Sequence, residues 1–130
     1  YTGYAAPAMT LYDELSALEH LKFDAKMRSL VSYEPLIQSS LQRFGLYERR
    51  NDSISSFSTG MRQRAKLVVA SYFSPALLLL DEPTSNLDEE GFEACSTLIS
   101  ELSRAGSIVI IATNDERERA LASTEIRLHQ

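Results

Sequence analysis

Apolar residues recur along this chain with two different periods. Ile37, Leu41 and Phe44 fall three and four apart, which predicts a helix over residues 34–44 with Gly45 just beyond as its stop. Upstream, Ser16-Ala17-Leu18-Glu19 is a capping box: the serine hydroxyl can accept the backbone amide three residues on, and the glutamate can reach back. It predicts a helix over residues 17–29. Residues 51–56 are polar and turn-forming. From Ser58 the helical period returns, with Met61, Ala65, Val68, Val69 and Tyr72 on one face and Arg62, Gln63 and Lys66 opposite, until Ser74-Pro75 ends it.

The period then changes. Residues 76–80 are continuously apolar, the pattern of a strand covered on both faces as in parallel sheets. Residues 88–103 return to helix, with acids in the first turn, a stripe of Phe92, Cys95, Leu98, Ile99 and Leu102, and Gly106 as the stop. Residues 107–113 predict a second buried strand. A short charged helix over 116–122 leads to a weaker third strand over 125–129. Tyr1-Thr2-Gly3-Tyr4 reads as the tail of a strand, and with no initiating methionine the expectation is that residues precede it. Helices alternating with buried strands predict an α/β fold whose first half is mainly helical.

Composition narrows the function classes. At 130 residues the chain suits one compact domain, and 44% apolar with 24% charged residues is ordinary for a globular protein. A net charge of −5 leaves no electrostatic footprint for nucleic acid or an anionic membrane surface, so no nucleic-acid partner is expected. The basic clusters at Arg49-Arg50 and residues 62–66 read as solvated helix faces. The single cysteine, Cys95, rules out an internal disulfide, fits a reducing compartment, and lies on an apolar stripe as a packed thiol. No signal peptide is recognisable, and no apolar run approaches the roughly 18 residues that span a bilayer. His20 and His129 read as surface or packing residues.

The strongest chemical signal is Leu77-Leu78-Leu79-Leu80-Asp81-Glu82-Pro83. A strand ending abruptly in two carboxylates sets them at the carboxyl edge of a sheet, where open α/β folds bind ligands. Asp81 could there hold Mg²⁺ through water while Glu82 orients or deprotonates the water attacking a γ-phosphate. The alternative is a surface turn before Pro83. Thr84-Ser85-Asn86-Leu87-Asp88 follows at once, and Phe57-Ser58-Thr59-Gly60-Met61-Arg62-Gln63-Arg64 lies upstream.

In the order and spacing of these three motifs the chain resembles the nucleotide-binding subunit of an ATP-binding cassette (ABC) transporter, over nearly its whole length. The resemblance implies a partial P-loop NTPase-like α/β fold. Residues 1–10 would be a strand end and Q-loop, 11–74 a helical subdomain with the signature, and 75–130 the Walker B, D-loop and switch regions. It makes Asp81 the metal ligand, Glu82 the catalytic glutamate and residues 85–88 the D-loop. Ser58, Thr59, Gly60, Met61 and Asp88 become nucleotide contacts, the signature reaching the γ-phosphate of an ATP held by a second nucleotide-binding subunit. ATP and Mg²⁺ are the implied cofactors. A transmembrane permease is the other implied partner, with the protein cytoplasmic and peripheral on the inner face of the cell membrane.

Three departures from the family pattern bear on activity. No Gly-x-x-x-x-Gly-Lys-Ser/Thr loop occurs in these residues, so nothing here cradles the β- and γ-phosphates. The expectation is that this loop belongs to a preceding segment, and that these residues by themselves neither bind ATP tightly nor hydrolyse it. Pro7 stands at the Q-loop glutamine's place and offers no side-chain ligand; Mg²⁺ readily replaces such a ligand with water. Asn114 stands at the switch histidine's place, where it can donate a hydrogen bond but carries no charge. Thr59 for glycine and Met61 for glutamine are milder changes. Besides a transporter ATPase, two readings remain: an ATP-gated dimerisation module poor in hydrolysis, and a soluble ABC ATPase of a cytosolic assembly.

Overall fold

The computed structural model describes residues 1–128. Strand β1 (Thr2–Ala5) is followed by helices α1 (Ala17–Met27), α2 (Glu34–Arg43) and α3 (Thr59–Ser71). Strand β2 (Leu77–Asp81), helix α4 (Glu89–Arg104), strand β3 (Ile108–Ala112) and the single-turn α5 (Glu116–Arg119) complete the order. The three strands form one parallel sheet, β1-β2-β3, with Leu78 level with Gly3 on one side and Val109 on the other.

Local chemistry sets most boundaries as predicted. The capping box closes in both directions: Glu19 N donates to Ser16 Oγ at 3.1 Å and Ser16 N to Glu19 Oε2 at 3.0 Å. Gly45 and Gly106 follow α2 and α4 at φ +67° and +96°, the left-handed backbone that ends a helix without steric cost in glycine. The polar stretch 51–56 is more ordered than its composition suggests. It contains a 3-10 turn, Ile54–Ser56, that buries Ile54 and pairs Ser53 with Ser16.

One continuous core joins all these elements. Leu21 and Ala25 of α1, Ile37 and Leu41 of α2, Leu67 and Val68 of α3, Leu78 and Leu80 of β2, and Cys95 and Leu98 of α4 are all buried in it. Each fully buried large side chain contributes about 1.5–3 kcal/mol relative to exposure. Helix α3 lies against β1 so closely that a Cβ on Gly3 would stand 1.9 Å from the carbonyl oxygen of Ala70. Only glycine fits that crossing.

Among the described residues the sheet is covered on one face only. Gly3, Ala5, Leu78 and Leu80 are buried, whereas their alternates Tyr4, Ile108 and Ile110 are 51%, 62% and 54% exposed. The expectation of strands buried on both faces is corrected: an apolar run shows that residues suit burial, and here α3 and α4 supply one cover. No strand forms over residues 125–128, and the remainder of the predicted third strand, including His129, lies outside the described residues. Helix α5 ends at Arg119, three residues short of the predicted 122.

The polar face assigned to α3 also needs correction. Gln63 is buried, not solvated, because helix α3 is covered by the sheet on one side and by α1 and α2 on another. The basic residues flanking it are bonded rather than free: Arg62 to Asp13 at 2.7 Å, Arg64 to Asp88 at 2.6 Å, and Lys66 Nζ to the carbonyl oxygen of Pro7 at 3.1 Å. His20 is a buried packing residue, stacked on Tyr12.

Candidate functional site

Strand β2 is the middle strand, and its last residue, Asp81, is level with Ala112 of β3. Glu82 follows immediately, its amide donating to the Ala112 carbonyl at 2.9 Å. Both carboxylates are exposed, at the carboxyl edge of the sheet. The chain leaves the strand sharply: Glu82 adopts φ +46°, a left-handed conformation uncommon outside glycine. Pro83, directly behind the two acids, is fully buried, so this turn is packed on the core and does not lie free on the surface.

Ser58 stands at the mouth of α3 with extended backbone (φ −64°, ψ 167°), and its Oγ accepts from Met61 N at 3.2 Å. Arg62 N is bonded to the Ser58 carbonyl. The amides of Thr59 and Gly60 precede any possible intrahelical acceptor, so the exposed end of the helix presents two free donors. Phe57, buried beside it, anchors this end in the core.

The segment after the acid pair returns to the start of α3. A Cβ on Gly60 would lie 3.0 Å from the carbonyl oxygen of Asn86, so residues 85–88 pack directly on the start of α3. Asn86 also has a left-handed backbone, φ +62°. Asp88 caps α4, with Oδ1 accepting from Gly91 N at 2.8 Å and from Arg64 Nη2 at 2.6 Å. Those two bonds, the backbone one first, hold its carboxyl below the usual carboxylate range.

Asn114 lies exposed between β3 and α5, one strand over from Asp81. Asp115 caps the turn that follows, accepting from Arg117 N and Glu118 N. Arg117 forms a forked ion pair with Glu89 and stacks on the ring of Phe92, 3.8 Å from its centroid. Glu118 is turned inward, and its Oε1 accepts both Thr84 N at 2.7 Å and Thr84 Oγ1 at 2.5 Å.

Asp81, Glu82 and Asn114 thus share the carboxyl edge of the sheet, while Ser58, Thr59, Gly60 and Met61 form the end of α3 against which the 85–88 segment rests. Sequence reasoning missed Gln63, Thr84 and Glu118. A signal for Gln63 existed, since Gln63, Leu67 and Ala70 form a second stripe at helical spacing and all three are buried.

Comparison with known proteins agrees with this arrangement. The chain is 31% identical over 126 residues to an uncharacterized ABC transporter ATP-binding protein, YybJ of Bacillus subtilis, covering 97% of this chain and 57% of that protein. It is 34% identical to the cytochrome c biogenesis ATP-binding export protein CcmA 2 of Cupriavidus metallidurans, over 86% of this chain and 53% of the relative. A solved ATP-binding subunit of an ABC transporter superposes with a TM-score of 0.79 at 32% identity, covering 85% of this chain and 47% of that one. The chain therefore spans about half the length of the relatives it matches. The ABC transporter family model matches residues 2–85, from β1 through the acid pair and into the segment that follows. By that match and that fold, the chain belongs to the ABC transporter family.

Proposed function

We propose that the protein is an ATP-binding and ATP-hydrolysing subunit that energises transport across a membrane, its signature segment acting on ATP held by a second nucleotide-binding subunit. The observation that carries this reading is the exposed Asp81–Glu82 pair at the carboxyl end of the middle strand of a parallel sheet. Glu82 orients and deprotonates the attacking water. The free first-turn amides of α3, at Thr59 and Gly60, with the Ser58 hydroxyl, receive the γ-phosphate of the partner's ATP, and Met61, whose amide is held by Ser58 Oγ, lies beside that contact. Asp88 has Oδ1 committed to Gly91 and Arg64, which leaves its other oxygen for a nucleotide contact. Asn114 supplies an uncharged donor beside the transferring group.

Mg²⁺ fits this donor set. The ion takes one or two carboxylates, keeps several waters and completes its shell with phosphate oxygens. Asp81 is an exposed carboxylate at a strand end, and among the described residues no group of three or more His, Cys, Asp or Glu side chains could hold a metal by itself. Asp81 would hold the ion, which would supply charge neutralisation to the phosphate group. No helix among the described residues is long and apolar enough to cross a membrane, and the proposal gives that task to a permease subunit, with this protein on the membrane's cytoplasmic face.

The test is phosphate release from Mg²⁺-ATP by the full-length protein. Turnover that Glu82→Gln abolishes is the expected result. Turnover no faster than that of the variant removes the hydrolytic half of the proposal. Pro7 and Asn114 favour a second reading, an ATP-gated dimerisation module with little hydrolysis. Tight ATP-dependent dimerisation without phosphate release is its signature, and brisk release rejects it.

A further inference from the structure

Glu82 is caught between two backbone restrictions. Its φ of +46° is strained for any residue with a Cβ, and the residue before a proline is itself biased towards extended backbone. Such a conformation persists only where the surroundings over-determine it. Here they do so at consecutive residues. Glu82 N is bonded to Ala112 O, and Ser85 N returns to Glu82 O at 3.2 Å. Gln63 Nε2 donates to Pro83 O at 2.8 Å, and Thr84 gives both its amide and its hydroxyl to Glu118 Oε1.

We infer that Gln63 and Glu118 form a two-sided clamp on the turn that carries Glu82, and that both are positioning residues for its carboxylate. The clamp is dry. Gln63 is 6% exposed and Glu118 2%, and Pro83 between them is fully buried. In such a setting a displaced turn leaves buried donors and acceptors unmade, so the bonds are steeply orienting. Glu118 argues for positioning over stabilisation. One oxygen takes both bonds while Oε2 is buried with no partner among the described residues, a poor arrangement for a residue serving only to hold the fold.

The two jaws come from elements that bear other candidate residues. Gln63 sits on α3, whose first turn contains Thr59 and Gly60, and Glu118 sits on α5, four residues after Asn114. The aim of Glu82 is thus fixed by the segments that carry the signature and switch positions.

This inference rests on reading Glu82 as the water-activating group, and its test separates the two. In the full-length protein, Gln63→Met and Glu118→Leu remove the bonds at nearly constant volume. Each is expected to lower kcat by about 10–100-fold, the usual size of a supporting-residue effect, with KM for ATP within about twofold. Hydrogen exchange at the Thr84 amide should accelerate at least about tenfold in Glu118→Leu. Glu118→Gln, which keeps an oxygen for Thr84, should recover most of the rate that Glu118→Leu loses. A kcat unchanged in both variants while Thr84 exchange accelerates overturns the positioning role. So does a KM that rises as kcat falls. If the wild-type protein turns over no ATP, the ATPase reading fails by itself. The clamp is then judged by exchange alone: Thr84 protection that Glu118→Leu leaves unchanged overturns it.

Discussion

Arg64 Nη2 lies 2.6 Å from Asp88 Oδ1, tying α3 to the first turn of α4 across 24 residues of sequence. The same guanidinium donates to the Phe44 carbonyl at 3.2 Å, at the end of α2, and its Nε lies near Gly91. One side chain on α3 therefore fixes two helix ends, the last turn of α2 and the first turn of α4, beside the segment that runs from the acid pair to α4. Arg64→Met is expected to lower the unfolding midpoint and loosen residues 85–88, and Arg64→Lys should rescue it poorly, since the two bonds leave different guanidinium nitrogens and an ammonium's donors all radiate from one atom. Thermal unfolding and hydrogen exchange over residues 85–91 read this. A lysine variant as stable as the parent would sink it.

The pairing also sets a pH dependence. Asp88 has a folded-state pKa below its ordinary value of 3.8, caused first by the Gly91 amide and then by Arg64. Its contribution is therefore present above the unfolded value and is lost as pH falls through the folded one. Unfolding midpoints of the parent and of Asp88→Asn should differ at pH 6 and converge below about pH 3.8. Because the carboxylate is exposed, added salt should shrink the difference. A gap that persists in acid would show that the charge is not its source.

His20 gives the opposite case on the other side of the helical region. It is buried against Tyr12, and neither ring nitrogen has a partner among the described residues. Burial lowers its pKa from 6.5, with Asp24 opposing as the smaller cause. Below pH 6.5 the unfolded chain takes up a proton that the folded chain refuses, so stability should fall by at most about 1.4 kcal/mol per pH unit. His20→Phe should flatten the parent's curve between pH 6.5 and 5. Parallel curves would mean that His20 does not titrate differently in the two states.

These residues show which parts of the molecule could be read from the sequence. The Ser16 cap, the start of α3 at Ser58 and the β2-to-Asp81 edge were legible because each is written within a few consecutive residues. Glu118 was not, because its partner Thr84 is 34 residues away and only the parallel pairing of β2 with β3 brings them together. Gln63 was misassigned because counting apolar residues alone marks one stripe, whereas α3 is buried on more than one side. The open face of β3 was illegible for another reason: Ile108 and Ile110 have the character of buried residues but no cover among the described ones.

Gly3 makes the packing claim falsifiable at one atom. A Cβ there meets the Ala70 backbone oxygen at 1.9 Å, and backbone cannot rotate away as a side-chain tip can. Gly3→Ala should therefore push α3 off β1 and cost about 1–3 kcal/mol or more, by chemical denaturation. Gly106 is the control: nothing lies within 4 Å, and its φ of +96° makes any cost there one of backbone strain alone. A change below about 0.5 kcal/mol for Gly3→Ala would mean that the crossing is not tight.

Asn114 offers the sharpest test of rate. It is exposed just past the end of β3, and two residues before it Ala112 is level with Asp81. On the proposed reading a donor at this point of the edge would act on charge that grows at the γ-phosphate in the transition state, and one such donor is worth about 10²–10³ in rate. Asparagine is short and always neutral, whereas histidine is longer and can carry charge near pH 6.5. In the full-length protein Asn114→His should raise phosphate release towards that factor while changing stability by less than about 0.5 kcal/mol, as exposed substitutions do. The gain should also require Glu82, so that the double variant with Glu82→Gln stays inactive. If Asn114→His leaves turnover unchanged in a protein that does hydrolyse ATP, the slow step lies elsewhere, and Pro7 becomes the departure to examine.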